Sequence, residues 1–520
     1  MHPKTRLFIL FLLIALLSSV LVNFQATNNI YSTNVEFQSG DHYINAVYMV
    51  PKGEKKVMPG IVVTHGFSGN KEMMRPISEG LVEQGFAVLA IDAQGHGMSS
   101  GKLRSEGNTS LQKDGLAAVE FLKNQPEVSE NEIGMVGHSL GAGLSYQTSL
   151  KTDISSMVII GNDLESVNIN STHPKNLLMA IGKYEELASV ESAMDTISKS
   201  IGQTAAVNTL YGSFETKTAR KIIVPNTDHL FEVGNPIVIE ETINWMLNSF
   251  HKTPRSEVSG WAGLADAAIS AFSALMWIAL IPLSFHKLPK SNQKFSHKLN
   301  SKKHGMFFFI SFMLGPIGIG FGFSGIFFVW YLIGSLIFSY LIKRSGENPF
   351  EIIKKSSFKS DFLPGMVIIF TLFLIIQIIL HNVTWDFRYV IPIFSKLSLN
   401  RFFLFLGLWS FGTAYFIFEQ SHAGSFEYTV KGLFEIILAR TWVFLIILLV
   451  QFVPIFLFGT PVLPGIFGFL TFFILALIPV MILISIIQFY SISELIHPIT
   501  TAIIIAGLIG WDLASTLPIN

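Results

Sequence analysis

Three hydrophobic regimes follow one another along the chain. The first is an apolar run from Leu7 to Val22, preceded by the basic start Met1-His2-Pro3-Lys4-Thr5-Arg6. A basic start and about 16 apolar residues suit a signal peptide or a short signal anchor. The following Val22-Asn23-Phe24-Gln25-Ala26 offers no clear small-x-small cleavage site, which favours an uncleaved anchor within residues 1–29. The second regime, residues 30–250, alternates short β-rich runs with helical stretches, the pattern of a mostly parallel sheet with crossover helices on both faces. Strands are predicted at His42–Val50, Gly60–Thr64, Ala87–Ile91, Ile133–Val136, Met157–Ile160, Leu177–Ala180 and Lys221–Val224. The later ones are continuous Val, Ile and Leu runs, as expected of strands buried on both faces. Helical stretches between them include Ser110–Asn124 and Ile237–Phe250.

In the third regime, residues 251–520, apolar runs dominate. About eight segments approach the roughly 20 residues that a bilayer requires. They fall near 262–285, 306–322, 325–342, 363–381, 402–419, 433–457, 463–489 and 497–515. Gly315, Pro316, Pro454 and Pro479 fall within them and are tolerable in membrane helices. The expectation is an all-α polytopic transmembrane domain following a soluble α/β domain.

Composition agrees with lipid as a second solvent: half the residues are hydrophobic, 46 are Phe and only 14% are charged. Charge also sets an orientation. Lys287, Lys290, Lys294, Lys298, Lys302 and Lys303 crowd one loop, and Lys343, Arg344, Lys354, Lys355 and Lys359 mark the loop two spans later. By the positive-inside rule both loops are cytoplasmic. Counting back, the α/β domain lies outside and the basic N-terminus inside. Net charge is zero, so no global field points to nucleic acid. There is no Cys, which excludes disulfides, thiolate chemistry and Cys-type zinc sites.

Candidate chemistry gathers at Gly137-His138-Ser139-Leu140-Gly141, a G-x-S-x-G sequence after the apolar strand Ile133–Val136 and before a small-residue stretch that can begin a helix. A nucleophile on a sharp strand-to-helix turn needs small neighbours two positions either side, because strand and helix approach closely there. His65-Gly66-Phe67 follows the strand Gly60–Thr64, where a backbone N–H of an oxyanion hole would sit. The two donors would then be Phe67 and Leu140, each typically worth about 3–4 kcal/mol at the transition state.

These segments, with Asp92-Ala93-Gln94-Gly95-His96-Gly97-Met98-Ser99 between them, resemble the α/β-hydrolase superfamily in order and in strand context. The likeness is to its serine aminopeptidase, monoglyceride lipase and dienelactone hydrolase-like branches. It covers about 220 residues and says nothing of the apolar half. The resemblance implies an α/β-hydrolase fold and a Ser–acid–His triad in that chain order, with the acid after the seventh strand and the His after the eighth. His229 then matches the base. The family usually has Asp three residues after the Gly of Ile181-Gly182-Lys183-Tyr184-Glu185-Glu186, where this chain has Glu185. Asp163, after the strand Met157–Ile160, is the alternative acid, with Glu186 and Asp195 behind it.

Other polar residues have plainer readings. His65 and His96 read as loop-ordering groups rather than metal ligands, and no His spacing resembles a zinc site. Asp92 reads as a turn residue bonding backbone amides. Asn108, Asn170 and Asn382 begin N-x-[ST] triplets, which imply nothing without a host. Asp266, Glu435 and Arg440 are the notable charges of the apolar half; intramembrane charge points to function by default, but these lie near predicted helix ends, where snorkelling or interfacial placement accounts for them at least as well. The segment Asn162–Asn176 is short for an inserted lid, so the site is open, or roofed by the membrane domain or bilayer.

The expected protein is an extracytoplasmic serine hydrolase of the cell membrane, cleaving ester, thioester or amide bonds, with esterase or lipase ahead of peptidase. Neither cofactor nor metal is needed, and a small-molecule or lipid acyl compound is the partner. The competing readings are a transporter or membrane scaffold whose α/β domain is a binding module, and an acyltransferase using the same triad.

Overall fold

The computed structural model describes residues 3–27, 29–54, 56–103, 108–164, 169–291, 298–380, 399–458 and 466–518. Lys294 and Asn382 lie outside the described residues, as do the side chains of Asn108 and Asp266. After a helix α1 (Pro3–Thr27), the chain forms strands β1 (Ile30–Ser39), β2 (His42–Pro51), β3 (Met58–Thr64), β4 (Ala87–Ile91), β5 (Val128–His138), β6 (Ser156–Ile160), β7 (Leu177–Ala180) and β8 (Arg220–Ile223). Their order in one sheet is β1-β2-β4-β3-β5-β6-β7-β8. The first two are antiparallel to their neighbours and the rest run parallel.

All seven predicted strands are present within a few residues, and β1 is an eighth. Its sequence, IYSTNVEFQS, mixes polar residues through the run and pairs only along β2, so it carries no continuous apolar stretch. Val35 and Phe37 are its apolar residues on the core side. Helices α2 (Arg75–Glu83), α3 (Asn108–Lys123), α4 (Leu140–Ser149), α5 (Val190–Ile201) and α6 (Pro236–Ser249) cover the sheet. Strand alternation divides the core. Ile61 and Val63 of β3 pack with Leu81 of α2 and Ile243 of α6, whereas Val62 packs on the other side with Leu122 of α3 and Leu144 of α4. Every residue of β3 and β4 is buried, as expected for central parallel strands.

The remainder is helical: α7 (Ala262–Ser284), α8 (Ser301–Met313), α9 (Phe323–Arg344), the single turn α10 (Glu351–Lys354), α11 (Leu363–Leu380), α12 (Leu399–Ala423), α13 (Val430–Phe458), α14 (Ile466–Ser493) and α15 (Pro498–Thr516). Gly315 and Pro316 fall in a 3₁₀ stretch, Gly315–Phe321, between α8 and α9. Among the described residues, five helices are long and apolar enough to cross a membrane: Lys4–Leu21, Ser301–Phe321, Phe323–Arg344, Leu399–Ala423 and Val430–Leu457.

Contacts fix which helix ends face the sheet region. Phe323, the first residue of α9, packs on Phe67 with ring centroids 4.6 Å apart, and Phe456 near the end of α13 meets Tyr184 at 4.6 Å. Arg401 at the start of α12 donates to Gly95 O at 3.0 Å and to Ala514 O and Leu517 O beyond α15 at 2.7 and 3.0 Å. A guanidinium on the last carbonyls of a helix meets both its unpaired acceptors and its dipole. Basic residues lie at the opposite ends. Lys4 and Lys290 both pair with Glu494 near the end of α14, and α9 runs about 30 Å from Phe323 to Arg344 at 1.5 Å per residue.

Arg440 is not a snorkelling residue. It is 1% exposed and donates to Glu419 at 2.7 Å, to Ser485 at 3.2 Å and to Gln488. The other oxygen of Glu419 lies 2.8 Å from His304 Nε2, whose Nδ1 is 3.0 Å from His422. Sequence position placed Arg440 near a helix end; α13 begins at Val430 and carries it inward to a partner on α12. Glu435 is half-buried.

Candidate functional site

The turn after β5 is built by steric demand. Ser139 has φ 52° and ψ −110°, a left-handed conformation for a non-glycine residue. Such strain costs on the order of 1–3 kcal/mol and persists only where the surroundings enforce it. A Cβ on Gly137 would fall 2.3 Å from Gly141 O, and one on Gly141 would fall 2.6 Å from Thr64 O, so both glycines are required. The Ser139 N–H donates to Ile160 O at 2.8 Å, anchoring the turn to β6. Leu140 is the first residue of α4, so its N–H is among the donors that a helix leaves unpaired.

The loop after β3 approaches the same point. A Cβ on Gly66 would lie 2.7 Å from His138 Nδ1 and 3.2 Å from Ser139 Cβ, so glycine lets Phe67 reach the elbow. His65 orders this loop, as its sequence setting suggested. Its Nε2 accepts the Ala93 N–H at 3.1 Å, which leaves Nδ1 as the donor to Gly66 O at 2.7 Å. His96 Nδ1 donates to Gln94 O at 3.1 Å. Asp92 accepts the N–H groups of Lys71 and Met98, each at 2.8 Å, and the buried Lys71 ammonium at 2.7 Å. Lys71 had no sequence signal of its own; its burial follows from that carboxylate.

His229, the expected base, and its neighbours come from the loops after β7 and β8, which are laced together. Lys183 N donates to Pro225 O at 2.8 Å and Tyr184 N to Thr227 O at 3.0 Å. His229 Nε2 lies 3.0 Å from Ser139 Oγ, and its Nδ1 lies 2.8 Å from Glu185 Oε1. That oxygen also accepts Leu187 N at 2.9 Å and Ala188 N at 3.2 Å. Burial alone would raise the Glu185 carboxyl. The hydrogen bond and charge of His229 outweigh it, helped by Glu232 and the Leu187 N–H, and the group stands below its ordinary value. His138 is the reverse case: burial, with His229 beside it, lowers it to about 3, so this ring is neutral.

The alternative acids are elsewhere or otherwise engaged. Asp163 accepts the Ser189 N–H at 3.0 Å and so holds the entry to α5. Glu186 accepts the His229 backbone N–H at 3.1 Å, and burial, with Asp228 nearby, pushes its carboxyl up to about 8. Asp195 pairs with Lys199 one turn along α5.

Sequence reasoning missed Glu232. It is fully buried, accepts the Gly182 N–H at 2.6 Å and lies 3.4 Å from His138 Nε2. His138, His229 and Glu232 bring three ligand-type atoms within 4.8 Å of one another, a spacing open to a metal ion. The His229 nitrogens are already engaged by Ser139 and Glu185, so the cluster fits a hydrogen-bonded site better than a coordination sphere.

Around these groups runs a mainly apolar cleft lined by Gly66, Phe67, Met73, His138, Ser139, Leu187, His229 and Leu230. Ser139 is part-exposed within it. The loops that contribute Phe67 and Leu187 to the cleft touch helix ends of the apolar half through Phe67 and Tyr184, and the loop after β4 does so through Gly95.

Residues 56–181 match the family model described as serine aminopeptidase, S33. A protein of Photobacterium leiognathi named acyl transferase is 32% identical over 145 residues, covering 26% of this chain and 43% of that protein. The chain spans about half, or less, of the length of the curated relatives it matches. Among solved structures, Est1E from Butyrivibrio proteoclasticus with ferulic acid bound is 20% identical with a TM-score of 0.33, covering 42% of this chain and all of that one. The Pyrococcus furiosus esterase Pf2001 is 19% identical with a TM-score of 0.34, covering 42% of this chain and 92% of that one. Sheet order, the strained elbow and the family match agree: the N-terminal region has an α/β-hydrolase fold, with residues 56–181 similar to the serine aminopeptidase family, and a helical region with several apolar helices follows it.

Proposed function

We propose that this protein is a membrane-anchored serine hydrolase acting on acyl compounds held at or near the bilayer. The observation that carries the reading is the hydrogen-bonded series Ser139 Oγ–His229 Nε2 at 3.0 Å and His229 Nδ1–Glu185 at 2.8 Å, on an elbow at φ 52°. Ser139 Oγ attacks the substrate carbonyl while His229 Nε2 takes its proton. Glu185 orients the ring and stabilises the imidazolium that forms. The N–H groups of Phe67 and Leu140 receive the developing oxyanion. His229 returns the proton to the leaving group, an acyl-enzyme remains, and water activated by the same His releases it.

An ester is the preferred substrate and a peptide amide the second. The lipidic character rests on the setting of the cleft. It is apolar, has no long insertion between β6 and β7, and is flanked by helix ends carrying Phe323 and Phe456. In this reading the helical half spans the membrane, the Lys- and Arg-rich ends are cytoplasmic and the hydrolase region is outside. Acyl transfer to another acceptor uses the same acyl-enzyme, and local similarity to proteins named acyl transferases favours keeping it as the second reading. A transporter or scaffold with an inert hydrolase-like module predicts no activated serine.

The test is labelling of sealed membranes by a fluorophosphonate, comparing wild type with Ser139→Ala and His229→Ala. Labelling that requires Ser139 and falls sharply without His229 supports the hydrolase, and labelling by an impermeant probe supports the outside placement. Folded wild type that never labels would sink the reading in favour of a binding or transport role.

A further inference from the structure

Behind the triad lies a second carboxyl that the mechanism above does not use. Glu232 sits three residues after His229 and is fully buried. Its Oε1 accepts the Gly182 N–H at 2.6 Å, on the loop that delivers Glu185. Its Oε2 faces His138 Nε2 at 3.4 Å and His229 Nδ1 at 4.0 Å. Room for this carboxyl depends on Gly161 at the end of β6, where an added Cβ would fall 2.2 Å from Oε2. Both carboxyls face one nitrogen, His229 Nδ1, Glu185 Oε1 at 2.8 Å and Glu232 Oε2 at 4.0 Å. Oε1 of Glu185 is filled by His229, Leu187 and Ala188, while Oε2 of each carboxyl is buried and meets no further donor among the described residues. Two carboxylates cannot donate to one another. Two buried charges beside one imidazole repel unless one carboxyl carries a proton.

Resting on the hydrolase reading, we propose that Glu232 is a positioning residue of this site: as a carboxylic acid it donates to the Glu185 carboxylate, so the pair presents one fixed negative charge to His229. Glu185 rather than Glu232 keeps the charge because it holds the imidazole and two backbone N–H donors, whereas Glu232 has one N–H and a neutral His138. Burial and the Glu185 charge raise the Glu232 carboxyl well above its ordinary value, which agrees with that assignment. A raised carboxyl holds its proton to higher pH than an ordinary one, and loses it as pH climbs further. The pair would then carry two charges, repel, and loosen Glu185 from His229. Glu186 and, more distantly, Asp228 are the other acids whose charge reaches this pair.

The experiment uses the full-length protein in lipid nanodiscs and the rate of fluorophosphonate labelling of Ser139 from pH 5 to 10. Glu186 is replaced by Gln in every background, so its own titration does not shape the alkaline limb. Adding Glu232→Gln supplies a donor that cannot ionise. The expected result is labelling near the parent rate at neutral pH, with the parent's alkaline fall abolished. Adding Glu232→Leu removes the donor and is expected to slow labelling at every pH by on the order of 10- to 100-fold, the scale of losing a partner that orients a catalytic group. An alkaline fall that survives unchanged in the Glu232→Gln protein overturns the proposal, whether or not the Leu variant folds. Folded wild type that never labels overturns the hydrolase reading, and this proposal with it.

Discussion

Glu185 meets His229 at 2.8 Å in the sheet region, and Glu419 meets Arg440 at 2.7 Å in the helical region. Both acids are almost fully buried, yet they sit in different company. The first stands behind a part-exposed serine held in a strained backbone at the wall of a cleft. The second also meets His304, while its partner Arg440 donates to Ser485 and Gln488 on packed helices, and Phe338 stacks on His304 and packs against Tyr415. Buried charge alone does not mark a reaction site. What separates the two is stored strain and access: one pair serves a group that a substrate can reach, and the other satisfies itself.

That contrast predicts opposite responses to the loss of one partner. Replacing His229 by Ala is expected to lower hydrolysis of a soluble ester by roughly 10⁴-fold or more while thermal unfolding barely moves, since triad members act as a unit on rate. A large fall in melting temperature with modest loss of rate would reverse the assignment. Replacing Arg440 by Leu should do the converse. An uncompensated buried carboxylate costs on the order of 3–5 kcal/mol. The variant should therefore unfold at lower temperature, and the Glu419→Leu/Arg440→Leu pair should recover much of the loss. Soluble-ester turnover per folded molecule should hold in both. If the double variant is no better than the single one, Glu419 and Arg440 do not act as a pair.

The sequence was informative where backbone geometry demanded particular residues. Gly137, Ser139 and Gly141 are legible because strand and helix collide there without them, and His65-Gly66-Phe67 because the loop must pass His138. Parallel strands were legible from their continuous apolar runs, whereas β1 was not, being an edge strand with scattered polar residues. Partners set only by the fold were hidden. Glu185 was legible only through its place three residues after Gly182 in the family resemblance; the residue types alone left Asp163 and Glu186 open beside it. Glu232 and Arg401 carried no signal in the sequence; the fold brings Gly161 and Gly95 to them. Arg440 was noticed but assigned to an interface, because its partner lies on another helix.

Glu186 offers a pH-resolved version of the comparison within the site itself. Its carboxyl rises from 4.5 to about 8 through burial, so the folded protein binds a proton there that the unfolded chain releases. For a raised acid, that contribution to stability is full below pH 4.5 and is lost as pH climbs toward 8. Glu186→Gln removes the penalty. Its melting temperature should match wild type near pH 5 and exceed it increasingly up to about pH 8, by an amount worth at most a few kcal/mol. Parallel curves across that window would mean the carboxylate is solvated in the folded protein.

The smallest expected effect tests whether the two halves work together. Phe67 supplies a proposed oxyanion donor, and its ring packs edge-on against Phe323 at the head of α9. Such an aromatic pair is worth about 0.5–1.5 kcal/mol beyond area burial, a few-fold to roughly tenfold in an equilibrium. Phe323→Ala leaves the Phe67 backbone and the triad in place. If α9 only props the oxyanion loop, the variant should lose the same few-fold on a soluble ester and on one held in vesicles. If the helix end guides an acyl chain from the bilayer into the cleft, only the vesicle-held ester should slow, with soluble turnover within about twofold of wild type. The proposed lipid-facing role requires that second pattern, because Phe323 packs on Phe67, a residue that lines the cleft.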